Sequence, residues 1–244
     1  MSTLDVSKLK PQTGRAFPLG PAVRESGVRF AVVSRHATRV WVALFEHVED
    51  KTPAVEFEFD HNKHRIGDIW SIYIEGAPPN VAYMYRMDGP FDPERGHRYD
   101  PTVFLLDPYA RVIVGDVQKN TAKCIAVDER MDRYDDEWPR HRVNDLVIYE
   151  THVKGFTYHS SSGVDHPGTY KGLIEKIPYL KQLGVTAVEL LPIQEFGEDR
   201  LGRCSLYTCD ELRNYWGYST IGFFSPAMRY ASGNGIGEKK PIVL

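Results

Sequence analysis

No apolar run in this 244-residue chain reaches the roughly 18 residues that a membrane-spanning helix needs. No membrane partner is therefore expected. Cysteine is scarce: Cys124, Cys204 and Cys209 form no C-x-x-C pair, and their number is odd. Such a set excludes a disulfide framework and suggests reduced thiols, so a cytoplasmic location is expected. Cys204 and Cys209 lack the nearby histidines that would complete a metal site, and neither a metal nor any other cofactor is expected. Charge of one sign is not in excess. Thirty Lys and Arg face 33 Asp and Glu, for a net charge of −3, which gives no electrostatic pull toward nucleic acid. Met1 to Pro18 lacks the apolar core of a secretory signal.

Aromatic residues are plentiful instead, at 12% with 14 Tyr, 11 Phe and 4 Trp. Rings serve as flat stacking platforms for sugars and, more often, as core. The first hundred residues alternate apolar and polar positions. Val28, Phe30 and Val32 share one face, as do Val40, Val42 and Leu44. Val55, Phe57 and Phe59 follow, then Trp70, Ile72 and Ile74, then Val81, Tyr83, Tyr85 and Met87. A period of two means strands with one buried and one wet face. Turn residues between them, such as Glu25-Ser26-Gly27 and Asp88-Gly89-Pro90, argue for an antiparallel sandwich. Residues 111–114 are expected to close it. Charged Asp128 to Arg142, with its acidic run Asp132 to Glu137, reads as a solvated linker.

After Asn144 the pattern changes. Leu146 to Tyr149 is a compact apolar run, and Val185 to Leu191 is another. Between them Leu173, Ile174, Ile177, Leu180 and Leu183 recur at helical spacing. Thr169 is the expected N-cap and Gly184 the expected stop, while Pro178 must kink or shorten the helix. Strand, helix, strand with both strands buried on two faces is a unit of a parallel sheet. Pro192 to about Tyr230 then reads as a long aromatic loop at the C-terminal end of a parallel strand, where α/β barrels carry their sites.

Several segments carry a family resemblance. Val147 to Thr157 reads V-I-Y-E-T-H-V-K-G-F-T. Gly168 to Pro192 ends in L-G-V-T-A-V-E-L-L-P, Asn214 to Tyr218 reads N-Y-W-G-Y, and Phe223 to Pro226 reads F-F-S-P. Upstream, Gly89 to Ala110 holds D-P-E-R-G-H-R-Y-D and L-L-D-P-Y-A. In this order they resemble the isoamylase, glycogen-debranching branch of the α-amylase superfamily (glycoside hydrolase family 13), N-terminal portion only. The resemblance implies three parts: a β-sandwich carbohydrate-binding module at 12–120, a linker at 121–144, and the first βα units of an incomplete (β/α)8 barrel at 145–244. The fold class expected is thus mainly β plus α/β.

The resemblance also implies an α-glucan substrate and retaining hydrolysis of its α-1,6 branch linkages. That chemistry needs two carboxyl groups about 5–5.5 Å apart. In the family these lie at later barrel strands. An eight-stranded barrel takes about 250 residues, and only 100 remain from Asp145 onward. Asp116-Val117-Gln118-Lys119-Asn120 begins like the family's strand-three motif, but Thr121 replaces its histidine. No catalytic residue is therefore assigned, and the chain alone is expected to be inactive. Truncation, a frameshift or a split gene each fit that reading. A quarter barrel would leave an unpaired edge and uncovered apolar faces, which invite aggregation.

By resemblance, Tyr218 is the ring that stacks under the glucose beside the cleaved bond, and Trp216 is a second candidate for substrate binding. Asn214 and Tyr215 read as loop scaffolding. Glu150 and His152 end strand one, where a histidine more often orients a neighbour than touches substrate. Glu189 lies in an apolar strand and would be exposed or unsatisfied without further barrel strands. Trp41 is either a surface stacking ring or packing at a sheet edge. Trp70 reads as core. Two other readings stay open: a non-catalytic glucan-binding or regulatory module, and one half of a split enzyme completed by a complementary chain.

Overall fold

The computed structural model describes residues 4–117, 119–128, 139–197, 200–207, 209 and 211–233. The acidic run Asp132 to Glu137 lies outside the described residues, as do Gln118 and everything after Gly233. The chain divides into two compact units, Met1–Glu129 with Ile221–Pro226, and Arg130–Thr220 with Ala227–Leu244.

The first unit is all antiparallel. Its strands are β1 (Lys10–Thr13), β2 (Gly20–Arg24), β3 (Gly27–Val33), β4 (Arg39–Phe45), β5 (Val55–Glu58), β6 (Arg65–Ile66), β7 (Ile69–Glu75), β8 (Ala82–Asp88), β9 (Phe91–Asp92), β10 (His97–Arg98), β11 (Ile113–Val114) and β12 (Lys123–Ile125). One sheet runs β1-β7-β3-β2 with β6 on β7, and the other runs β11-β12-β8-β4-β5. Register sets the facing residues: Phe30 opposes Ile72 and Val42 opposes Tyr85. Val28, Phe30, Val32, Trp70, Ile72 and Ile74 pack in one cluster with Val40, Val42, Leu44, Tyr83 and Tyr85. Burying one such side chain stabilises the fold by about 1.5–3 kcal/mol.

The alternation foretold one wet face per strand, and on β3, β4 and β8 that expectation fails; on β3 Arg29 and Ala31 are buried as well as Val28, Phe30 and Val32. The other face of β4 and β8 is dry near one end, because Ala43, Phe45, Ala82 and Met84 form a second cluster against Phe104, Leu106, Val112 and Val114. Small and flexible side chains on that face are covered by the irregular chain at 104–114. Strand β11 does extend the second sheet, but through β12, which lies beyond residue 120. Its sequence Lys-Cys-Ile shows no alternation. Lys123 is nonetheless buried, donating to the carbonyl of Val48 at 2.8 Å with its ammonium 4.5 Å from the Phe45 ring centre.

The second unit begins with β13 (Ile148–Thr151), α1 (Val153–Thr157), α2 (Tyr170–Glu175), α3 (Ile177–Gln182) and β14 (Ala187–Leu190). Strands β13 and β14 pair in parallel, Ile148 with Ala187 through Thr151 with Leu190. The crossover obeys its sequence signals. The Thr169 hydroxyl caps α2 by accepting from Gly172 N–H. Pro178 sits in the first turn of α3, so the helix is divided at Lys176 rather than continuous. Gly184 takes a φ of 81°, which ends it.

Burial departs from expectation here. Ile148 is 58% exposed, Ile174 54% and Leu183 52%, whereas Leu180 is buried. The strands read as buried on two faces have both faces largely open. Downstream, the segment read as one loop contains β15 (Gln194–Phe196), the antiparallel pair β16 (Arg200–Cys204) and β17 (Glu211–Arg213), and β18 (Thr220–Pro226). The first three are short and charge-rich, and β18, Thr-Ile-Gly-Phe-Phe-Ser-Pro, carries no alternation, so none shows a period of two. Residues 221–226 belong to the first unit. There Ser225 Oγ accepts from Ile113 N–H at 3.0 Å, and Phe224 stacks on Tyr109 with ring centres 5.4 Å apart.

Candidate functional site

His152 follows the last residue of β13 and caps α1. Gly155 N–H donates to its Nδ1 at 3.1 Å. A neutral imidazole accepting at Nδ1 carries its proton on Nε2. That nitrogen lies 2.9 Å from the carbonyl oxygen of Tyr215 and 3.2 Å from the Tyr230 hydroxyl. The imidazole also lies flat on the Tyr215 ring, with centres 4.3 Å apart and planes 14° from parallel. Burial pulls its pKa below the ordinary 6.5, opposed in part by the hydrogen bond to Tyr215. Tyr230 meets His152 and Tyr170 edge-on. The Tyr170 hydroxyl lies 3.2 Å from the carbonyls of both Ile193 and Ala227.

Asn214 to Tyr218 forms a closed turn. The Asn214 side chain donates to the carbonyls of Gly197 and Tyr218, at 3.2 and 2.7 Å, and accepts from Gly217 N–H at 3.3 Å. Gly217 has a φ of 83°, and a Cβ there would stand 2.9 Å from the carbonyl oxygen of Pro192. Only glycine fits that conformation and that approach. The turn leaves Trp216 57% and Tyr218 60% exposed. Asn214 is thus scaffolding in the literal sense, and Tyr215 is the buttressed ring of the turn.

Glu195, only 7% exposed at its side chain, pairs with Arg229 at 2.5 Å. Arg229 also donates to the carbonyl of Phe196 at 2.8 Å and lies 4.0 Å over that ring. The partners are 34 positions apart in sequence, so no local signal joins them. A shallow cleft beside the turn is lined by Lys154, Phe196, Asn214, Tyr215, Arg229 and Tyr230.

The remaining candidates divide. Glu150 and Glu189 are direct register partners on β13 and β14, and both are exposed. In the sandwich, Trp70 is fully buried, with its indole N–H donating to the carbonyl of Ser34 at 3.0 Å. Trp41 is half-buried, and the guanidinium groups of Arg39 and Arg86 lie 4.4 and 5.4 Å from its ring centre. Those arginines also bind Glu58 and Glu56, so its ring packs in a cross-strand ionic ladder. Cys204 and Cys209 are exposed and free. Among the described residues no group of three or more His, Cys, Asp or Glu could hold a metal.

Residues 18–110 match carbohydrate-binding module 48, the isoamylase N-terminal domain. The chain is 39% identical to chloroplastic isoamylase 1 of Arabidopsis thaliana, across 94% of this chain and 32% of that protein. It is 42% identical to chloroplastic isoamylase 3 of Oryza sativa subsp. japonica, across 93% of this chain and 31% of that one. Among solved structures it resembles the pullulanase of Paenibacillus barengoltzii in complex with maltohexaose and α-cyclodextrin. The TM-score is 0.70 at 25% identity, covering 90% of this chain and 33% of the pullulanase. The chain thus spans about a third of the length of these relatives.

The cytoplasmic location expected from the sparse cysteines is overturned by these relatives. The similar isoamylases of Arabidopsis thaliana, Oryza sativa and Zea mays are chloroplastic. Free thiols argue against an oxidising compartment but do not choose among reducing ones. By its module and by similarity along nine-tenths of its length, the chain resembles the N-terminal region of the isoamylase-type debranching group of the α-amylase superfamily.

Proposed function

We propose that this chain is the glucan-engaging N-terminal part of an enzyme that hydrolyses α-1,6 branch linkages of α-glucans with retention of configuration. In this reading the module occupies 12–120, a linker 121–144, and the start of a (β/α)8 barrel the residues from 145 onward. Trp216 and Tyr218 form the sugar-stacking platform. The observation that carries it is the Asn214–Tyr218 turn. It holds two rings open to solvent beside His152, at the C-terminal end of a parallel strand, where barrel enzymes carry their sites. Exposed aromatic faces suit the apolar C–H face of a pyranose and the oxocarbenium-like transition state.

Hydrolysis itself needs an acid and a nucleophile. Glu150 and Glu189 are exposed register partners on β13 and β14, and neither is assigned the role of acid or nucleophile. In this reading the chain binds glucan and does not by itself cleave it. The experiment has two parts: titration of the chain with maltohexaose, and a reducing-end assay on a branched glucan. Binding that Tyr218→Ala weakens at least fivefold, with no reducing ends released, is the expected result. Release of reducing ends, or binding indifferent to Tyr218 and Trp216, would sink it.

A second reading is favoured by the closed core of the first unit: the module binds glucan without catalysis. Retarded migration in a glycogen gel by a Trp216→Ala, Tyr218→Ala variant would support it. A complementary chain is favoured by the open apolar faces of β13 and β14. Such a chain would pair with those strand edges, and co-purification from the source tissue tests it.

A further inference from the structure

We infer that His152 is a positioning residue: its neutral imidazole latches the Asn214–Tyr218 turn and so fixes the direction in which Trp216 and Tyr218 face. The inference rests on the platform reading above and adds how that platform is held and what releases it.

The latch has two ends on one ring. Nδ1 accepts from Gly155 N–H and ties the imidazole to α1. Nε2–H is left to donate to the Tyr215 carbonyl, inside the turn. Stacking on Tyr215 adds a flat contact, and a Cβ at Gly155 would stand 2.7 Å from the Tyr215 hydroxyl, so the turn seats closely against α1. Trp216 is next in sequence, its ring edge-on to Tyr215 at 5.4 Å and to His152 at 6.3 Å. Movement of Tyr215 must therefore carry Trp216 with it.

Only the neutral ring can do both jobs. Protonation puts an N–H on Nδ1 facing Gly155 N–H, two donors with no acceptor between them. The groups around the ring oppose that charge. Lys154 disfavours a second cation, and burial disfavours any charge. From the turn it meets the Tyr215 ring and carbonyl and the Trp216 edge. From the segment after β18 it meets the Tyr230 hydroxyl, behind which stand Tyr170 and the Glu195–Arg229 pair. The latch is closed at neutral pH and opens as pH falls below 6.5.

Two variants separate the ends of the latch. Asn at 152 keeps an acceptor for Gly155 N–H but loses the donor to Tyr215, whereas Gln keeps a donor at the Nε2 position. The test follows the Trp216 indole N–H of the ¹⁵N-labelled chain, assigned with Trp216→Phe, from about pH 7.5 to about pH 5. In the wild type its resonance should titrate with the His152 ring, at a midpoint below 6.5. In His152→Gln it should be flat, and maltohexaose affinity should fall about threefold or more, because the tie to Gly155 is lost as it is in the protonated ring. In His152→Asn the affinity should fall about five- to tenfold. A Trp216 resonance indifferent to pH in the wild type, or wild-type maltohexaose affinity in either variant, would overturn the latch. Maltohexaose that leaves the wild-type Trp216 resonance unmoved would instead overturn the platform reading, while a titrating indole still supports the latch.

Discussion

The phenol of Tyr83 donates to the carboxylate of Asp107 at 2.8 Å inside the sandwich, with both side chains buried. The other carboxylate oxygen accepts from Tyr109 N–H at 2.8 Å, and Asp107 N–H points at Cys124 Sγ at 3.2 Å. These bonds tie the L-L-D-P-Y-A segment to the second sheet. Burial outweighs them in the balance of protonation and pushes Asp107 up to about 6.

That shift fixes a sign. A carboxyl whose pKa is raised on folding, from 3.8 to about 6, adds stability that is fully present below pH 3.8. The contribution is lost as pH rises through about 6. Asp107→Asn cannot ionise; its amide oxygen can accept from Tyr109 N–H while its NH₂ donates to the Tyr83 hydroxyl. The variant should gain stability over wild type by about 1–3 kcal/mol between acid and neutral pH. Urea unfolding followed by the fluorescence of buried Trp70 measures it. An unchanged difference between the two proteins across that pH range would refute the account.

Removing one partner of a buried ion pair leaves the other charge stranded. Arg229→Ala should destabilise the second unit by about 3–5 kcal/mol, since Glu195 is almost fully buried. Thermal unfolding of the variant, followed by backbone circular dichroism, checks this. A loss under about 1 kcal/mol would mean that Glu195 is rescued by solvent or by protonation.

Gly217→Ala should break the turn without touching its rings. The left-handed φ costs an alanine about 1–2 kcal/mol, and the added carbon collides with the carbonyl of Pro192. Maltohexaose affinity should drop about tenfold or more, with the first unit's unfolding unaltered. Calorimetric titration beside an unfolding curve separates the two effects.

The thiols should divide two to one. Cys204 and Cys209 are exposed, while Cys124 is buried and its thiol is pushed up by burial, with Asp107 adding to the effect. A thiol-specific chromogenic reagent should titrate two groups promptly and the third only on unfolding. Prompt reaction of all three would mean that the sandwich opens around Cys124.

Local signals in the sequence foretold local structure well. Thr169, Pro178 and Gly184 each act as their residue type requires, and the alternating runs became β3, β4, β7 and β8. What stayed hidden depends on distant chain. The second dry face of β4 needs residues 104–114, and Ser225 reaches Ile113 across 112 positions. At the site, Tyr218 and Trp216 were readable by resemblance and are exposed. The contact of His152 with Tyr215 could not be read locally, since the two are 63 positions apart. Asp107 looked like a motif letter until its burial was visible.

Glu150 and Glu189 stand side by side on the paired strands of the second unit. Like charges in register repel. A copy of this chain that added its own β13 to an open edge, residue for residue, would extend the row of carboxylates and raise the electrostatic cost with each strand. The same glutamates would welcome a strand bearing Lys or Arg at the matching position. The edge therefore discriminates by charge, discouraging growth into a homopolymer while remaining open to a strand of opposite sign.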